Sequence, residues 1–165
     1  MQPPKIKIAK TPFDSIIEII TLCFLIISVA IITYYDAQLP NQVPIYFNWP
    51  SKDINGMGAK NLLWVSPIIC GIIYLAILKL NQYPWIFNYP TTLTQDNAKQ
   101  HYKLSTRLLR WINLIVAISC LALTFATIAT ILYPRLNIDN YLFPTFPILF
   151  ILPLLVYLIQ ASKIK

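Results

Sequence analysis

The amino-acid sequence predicts an all-α, polytopic integral membrane protein, a single membrane domain over residues 1–165. The predicted architecture is a four-transmembrane-helix bundle with a small extended outward loop and a cytoplasmic helix that extends the third span. Three observations predict this fold class. Hydrophobic residues make up 57% of the chain and charged residues 12%, whereas a soluble domain carries roughly 25% charge. Four apolar runs reach the ~20 residues that a helix needs to cross a bilayer, and the positive charges lie mainly between these runs.

The four predicted spans cover approximately residues 16–35, 61–80, 111–133 and 142–159. The first follows a lysine-bearing tail, as a signal peptide would. Its apolar run nevertheless continues to Tyr34 and Tyr35, which favours a full span that ends in an interfacial aromatic belt. The fourth contains Pro144, Pro147 and Pro153, so we expect a kinked helix whose freed carbonyls are satisfied by its neighbours.

The distribution of Lys and Arg predicts the orientation. Ten of these residues lie in the two terminal tails and in or beside the connection at 81–110, whereas three lie in the other two connections. The positive-inside rule therefore predicts both termini and the 81–110 connection in the cytoplasm and the loop at 36–60 outside. The predicted location is the cytoplasmic (inner) membrane.

The cytoplasmic connection carries a helix-start signal, since Thr94 or Asp96 can cap a helix that continues from Ala98 into the third span. Its basic residues form a candidate cytoplasmic surface: Lys99, Lys103, Arg107 and Arg110. The aromatic segment at 83–90 is suited to anchoring at the headgroups, or to docking on a partner or on the bundle.

The outward loop is predicted to be a compact cap. Two X-Pro steps favour extended backbone, and the β-prone stretch at 43–49 follows the first of them. Gly56 and Gly58 then permit a tight return toward Lys60, which stands at the start of the second span.

This loop resembles a domain of unknown function that forms the amino-terminal part of Sdp-type bacterial toxin-immunity proteins and also occurs alone. The resemblance covers roughly residues 33–80. It rests on prolines, an Ile/Val-Pro step, a Phe-Asn pair, a Gly-x-Gly-x-Lys motif and a helical proline, which here are Leu39, Pro40, Val43, Pro44, Phe47, Asn48, Gly56, Gly58, Lys60 and Pro67. Tyr46 and Asn55 replace the histidine and aspartate of the family pattern, so the matching part of the motif is structural.

Catalytic chemistry is not expected. The sequence has no Ser-His-Asp, HExxH, GxSxG or Walker pattern, and the one histidine, His101, is predicted to be a solvated surface residue. The three cysteines lie inside apolar runs without metal-ligand spacing, so we predict no metal site, cofactor or disulfide. The net charge of +7 is spread between the apolar runs, which argues against a nucleic-acid partner.

Two charged residues fall inside or beside predicted spans. Lys79 can extend to the headgroups. Glu18 either marks the interfacial turn of the first helix or pairs with a basic residue from the 81–110 connection.

The resemblance implies a non-enzymatic bacterial membrane protein that senses, or gives immunity against, an extracytoplasmic toxin or peptide. The loop would contact a peptide or membrane-protein partner through Asn48, Trp49 and Lys60, and the lipid bilayer is the other expected partner. One alternative is a small transporter with kinked second and fourth helices and hydroxyls along a path: Ser66, Ser119, Thr124, Thr127 and Thr130. Another is a structural or accessory subunit of a membrane complex, with a small-residue helix face at Ser119, Ala122, Ala126 and Ala129.

Overall fold

The structure is a computed structural model that describes residues 3–45, 56–89, 91–133 and 139–164, with residues 134–144 excluded from side-chain description. The described chain is mostly helical, which confirms the all-α class. Three helices are long and apolar enough to cross a membrane: Pro12–Gln38, Lys60–Leu80 and Gln95–Leu132. A further apolar helix, Thr145–Ala161, is shorter over its described side chains.

Helix α1 runs from Pro12 to Tyr35 and starts at a capping box. The Thr11 hydroxyl accepts a hydrogen bond from the Asp14 amide, and the Asp14 carboxylate accepts one from the Thr11 amide. One face of the helix is buried at a helical spacing, by Ile17, Thr21, Leu25, Ser28 and Ile32. The opposite face exposes large aliphatic side chains, as expected of a helix bordered by lipid.

A short 3₁₀ turn, Asp36–Gln38, leads from α1 into two antiparallel strands, β1 (Gln42–Pro44) and β2 (Met57–Ala59). The second strand continues into another 3₁₀ turn, Lys60–Trp64, and then into helix α2, Val65–Leu80. Residues 36–45 and 56–64 together are called the cap below. Pro67 is the third residue of α2, where amide hydrogens lack partners within the α-helix, so it begins the helix instead of bending its middle.

Helix α3 extends from Gln95 to Leu132 and confirms the predicted single long helix. Its 38 residues span about 57 Å at 1.5 Å per residue, nearly twice the hydrocarbon thickness. Thr94 is the N-cap, in a second capping box whose partner is Asn97. Because α3 packs against α1, α2 and α4, it is the central helix of the described structure.

Helix α4 runs continuously from Asp139 to Ala161 and packs against α3. Pro144, Pro147 and Pro153 therefore do not divide it into separate helices. Its 23 residues measure about 34 Å along the axis, enough for one passage through the hydrocarbon core.

Candidate functional site

Two built features lie at opposite ends of α1. The cap covers the end of the helix at Tyr35, and a cluster of charged side chains surrounds its beginning near Asp14. The sequence predicted a compact loop and singled out Glu18 and the basic residues of α3, but it did not predict which of these residues contact each other.

The cap is a small closed unit. Strand β1 pairs with β2 so that Val43 stands opposite Gly58, and the Ile45 amide donates to the Gly56 carbonyl at 2.8 Å. Leu39 and Val43 are buried and pack with Ile128 of α3. The predicted compact loop is therefore seated on the bundle through apolar contacts.

Lys60 joins the two helices that flank the cap. Its Nζ donates to the Asp36 backbone carbonyl and to Asp36 Oδ2, both at 3.0 Å, and its own amide donates to the Asn41 carbonyl at 2.9 Å. The cation lies just beyond the carbonyl end of α1, where the helix dipole favours positive charge. The lysine of the family motif thus has a structural partner within the chain.

The remaining motif residues differ in exposure. Gly56 and Pro67 are buried, Pro44 is half-buried and Pro40 is exposed. Phe47 and Asn48, together with Tyr46, Trp49 and Asn55, lie outside the described residues. The part of the motif that the structure describes builds the cap and its junction with α2.

A cavity of about 70 Å³ lies beneath the cap. Ser66, Thr124 and Thr127 contribute to its lining, and both threonines are buried. At roughly 30 Å³ per water molecule, the space is small. Thr124 and Thr127 therefore do not face lipid, but the cavity lies at the cap end of the bundle and not at its middle.

The second feature, called the charge cluster below, joins α1 to α3. Asp14 and Glu18 lie one turn apart on α1 and face Arg107 and Arg110 of α3. Arg110 Nε donates to Glu18 Oε1 at 2.8 Å, its Nη1 lies 3.8 Å from Asp14 Oδ1, and Arg107 Nε donates to Asp14 Oδ1 at 3.3 Å. Lys10 contributes a further contact, with its Nζ at 2.6 Å from Glu18 Oε2.

The charge cluster is buried at its centre. Asp14 and Arg110 are 4% and 5% exposed, so little water screens either charge. Buried ions persist in proteins only when they are paired, because desolvation of an isolated charge costs several kcal/mol. Of the two alternatives for Glu18, the structure shows pairing with a basic residue of the 81–110 connection.

This burial corrects the expectation for Arg110. Lys99 and Lys103 are exposed and Arg107 is one-third exposed, but Arg110 points into the bundle toward the carboxylates of α1. The Tyr74 hydroxyl of α2 also donates to the Glu18 carbonyl at 3.4 Å. The cluster thus brings three helices together.

His101 is also not the solvated residue that was expected. It is fully buried, its Nε2 lies 3.3 Å from Thr91 Oγ1, and its ring meets the edge of Tyr89 with centroids 6.0 Å apart. Neighbouring Tyr102 is equally buried and donates from its hydroxyl to the Pro4 carbonyl at 2.9 Å. His101 shares one face of α3 with the buried residues 98, 102 and 105, and this helical spacing is the sequence signal for its burial. The neighbouring Lys99 and Lys103 point the other way, to the exposed side of the helix.

Tyr89, near the end of the aromatic segment, docks on the bundle, whereas Tyr83 and Ile86 of the same segment are exposed. Tyr89 packs on Tyr102 and its hydroxyl lies 2.8 Å from Ser105 Oγ. Burial raises the pKa of Tyr89, and the hydrogen bond to Ser105 opposes that shift. The small residues Ala126 and Ala129 of α3 are likewise buried within the chain.

Within the described ranges, no three His, Cys, Asp or Glu side chains converge as a metal site, and Cys23, Cys70 and Cys120 are free thiols. Comparison with protein-family models, with curated proteins and with solved structures found no match. These comparisons therefore give no support to a family, and the resemblance of the loop stays a prediction from the sequence.

The charge cluster yields a stability prediction. Arg110→Met removes the buried cation shared by Asp14 and Glu18 and leaves each carboxylate with one cation, Arg107 or Lys10, so we expect a loss of about 1–3 kcal/mol in unfolding free energy. Reversible unfolding in mixed micelles by SDS, followed by circular dichroism, measures it. Lys99→Met, an exposed site on the same helix, is the matched control and should change little. Equal stability of the two variants would contradict a structural role for the cluster.

The cap yields a second prediction, from its glycine. A Cβ at Gly58 would overlap Ile45 Cδ1 and approach Leu62 Cδ1 to 3.2 Å. Because the overlapped atom is a terminal methyl that can turn aside, Gly58→Ala should destabilise the protein by about 1 kcal/mol. Gly71→Ala is the control, because nothing lies within 4 Å of its added Cβ and alanine is the better helix former. The same unfolding assay should show Gly71→Ala neutral or stabilising. A harmless Gly58→Ala would mean that the cap is loosely packed.

Proposed function

We propose that the protein spans the cytoplasmic membrane four times, with both termini in the cytoplasm and the cap outside. Three helices have the length and apolar character for a passage, and α4 lies beside α3 along the bundle. The positive-inside rule supports this orientation, because Lys and Arg concentrate at the end of the bundle opposite the cap.

Labelling tests this topology. In a variant without the three native cysteines, Gln42→Cys in the cap should react with a membrane-impermeant maleimide on intact cells. Gln100→Cys and Ser162→Cys should react only after lysis, because all three positions are exposed in the structure and accessibility then depends on the membrane side. Reaction of Ser162→Cys on intact cells would indicate that α4 does not cross the membrane.

For the activity, we propose recognition at the outer face: the protein is a non-enzymatic bacterial membrane protein that senses, or protects against, a toxin or peptide arriving from outside. The observation that carries this proposal is that the cap is a preformed surface. Strand pairing, the Lys60 to Asp36 contact and the buried Leu39 and Val43 hold it in one shape. A rigid surface binds with a smaller loss of conformational entropy than a mobile loop does.

The surface of the cap offers groups for a partner. Met57 and Leu62 are exposed large apolar side chains, and Gln42 is an exposed polar neighbour on the same sheet. The resemblance to toxin-immunity proteins supports a toxin or peptide as the partner, since seven of the ten matched residues lie in the cap: Leu39, Pro40, Val43, Pro44, Gly56, Gly58 and Lys60. A non-enzymatic role is supported by the charge cluster, whose described carboxylates Asp14 and Glu18 are paired with cations.

A protection assay tests the activity. Cells that lack the gene are challenged with spent medium from competing strains that secrete membrane-active peptides, and survival is compared after complementation. The wild-type gene should restore survival, and a Gln42→Arg/Met57→Glu double variant should not, because it changes exposed cap residues while leaving the buried contacts intact. Lys99→Glu, exposed at the other end, should restore it, with membrane levels matched by immunoblot. Equal survival of cells with and without the gene would overturn the proposal.

Transport is the second candidate, favoured by the interior position of Ser66, Thr124 and Thr127 beneath the cap. It predicts a different pattern in the same cells. Thr124→Val/Thr127→Val would abolish complementation, and the cap double variant would retain it. Loss of protection in the cap double variant thus supports recognition, and loss of protection in the threonine double variant supports transport.

A further inference from the structure

A groove between α3 and α4 is a cavity that the proposed function leaves unused. It measures about 460 Å³, within the roughly 300–1,000 Å³ typical of small-molecule sites. Aliphatic side chains from both helices form most of its wall, including Ile118 on α3 and Leu149 and Leu152 on α4. The groove opens at the bundle surface, where a molecule could enter sideways from the bilayer.

The polar residues of the groove gather at one end. Arg107 and Trp111 of α3 face Tyr157 and Gln160 of α4, near the beginning of α3 and the end of α4. Beyond them the wall is aliphatic. Tyr and Trp favour the headgroup level of a bilayer, so the polar end corresponds to an interface and the aliphatic end to the hydrocarbon core. This polarity matches that of a phospholipid.

The polar end is also positive. Arg107 lines the groove and contacts Asp14 through Nε, and a third of its side chain is exposed. Lys103 lies one turn earlier on α3 and Lys163 follows the end of α4, and both are exposed. Basic pockets between membrane helices on the cytoplasmic side are suited to anionic headgroups.

We propose that this groove binds one anionic phospholipid, with its phosphate at Arg107 and an acyl chain between α3 and α4. Charge complementarity favours a lipid over a second copy of the chain. The chain itself carries a net charge of +7, and its carboxylates at Asp14 and Glu18 are already paired. The lipid site is formed by α3 and α4 and does not involve the cap. A failure of lipid binding would therefore leave the proposal of outer-face recognition untouched, and the reverse also holds.

Trp111 provides a local reporter at the polar end of the groove. In a variant with Trp49, Trp64 and Trp85 changed to Phe, Trp111 is the one tryptophan, because the chain has four. The protein is placed in phosphatidylcholine vesicles that contain increasing fractions of brominated phosphatidylglycerol or brominated phosphatidylcholine. We expect brominated phosphatidylglycerol to quench Trp111 at about fivefold lower fraction, the preference that one engaged cation provides.

Two matched pairs of variants in this background locate the site. Arg107→Gln should make the two brominated lipids quench Trp111 at nearly equal fractions. Lys99→Gln changes an exposed cation away from the groove lining and should keep the preference for phosphatidylglycerol. Val156→Phe should weaken quenching by filling the groove without changing charge. Leu155→Phe, on the neighbouring exposed face of α4, should have no effect. Val156→Phe remains informative if Arg107→Gln disturbs the charge cluster, and helical content by circular dichroism identifies such a disturbance.

Three results would overturn the proposal. Equal quenching by the two brominated lipids would mean that ordinary annular lipid surrounds the groove. A phosphatidylglycerol preference that survives both Arg107→Gln and Val156→Phe would place the anionic site elsewhere. Relief of quenching by soluble glycerophosphate or inorganic phosphate would show that the ligand is a free phosphate and not a lipid.

Discussion

Two carboxylates one turn apart on α1 meet two arginines three residues apart on α3, and this arrangement fixes how the helices are paired. Asp14 and Glu18 lie on the face of α1 that turns inward, so in a medium of low dielectric they require cations at matching heights. Arg110 reaches both carboxylates, which sets the height and the rotation of α3 against α1 together. A shift of one residue along either helix would separate the pairs, since neighbouring residues on a helix differ by 100° in direction.

The cap follows from that pairing at the other end of the same helices. With α1 and α3 held in register, Ile128 lies where Leu39 and Val43 of the cap can cover it. Lys60 then connects the beginning of the Lys60–Leu80 helical segment to the end of α1 through Asp36. Thus α1 is fixed by charge at both ends and by apolar contacts between them, with Thr21 and Ser28 donating to carbonyls of their own helix. The position of the cap therefore depends on how α1 and α3 pack in the rest of the bundle.

Much of the fold could be predicted because it depends on local properties of the chain. Composition predicted the helical class and its membrane-length apolar helices, and the capping signal at Thr94 or Asp96 predicted the start of α3, where Thr94 is the cap. The X-Pro steps with Gly56 and Gly58 predicted the tight return between the two strands of the cap. The inward orientation of Arg110 and His101 was missed, because burial depends on how a helix rotates toward partners distant in sequence. Hydropathy shows neither how a helix is rotated about its axis nor which helices pack against each other. The spacing of Asp14 with Glu18 and of Arg107 with Arg110 carried a signal, but one sequence does not state which acid meets which base.

The charge cluster has a consequence for the order in which the chain is assembled. Asp14 and Arg107 are 93 residues apart, so at synthesis rates of about 5–20 residues per second α1 exists for about 5–20 s before its partner on α3. During that interval the two acids must remain hydrated. In the proposed membrane topology, their position in the first two turns of α1 permits this, because headgroup water can reach the beginning of a spanning helix but not its middle. The same acids placed two turns later would oppose insertion of the helix before any arginine was available to neutralise them.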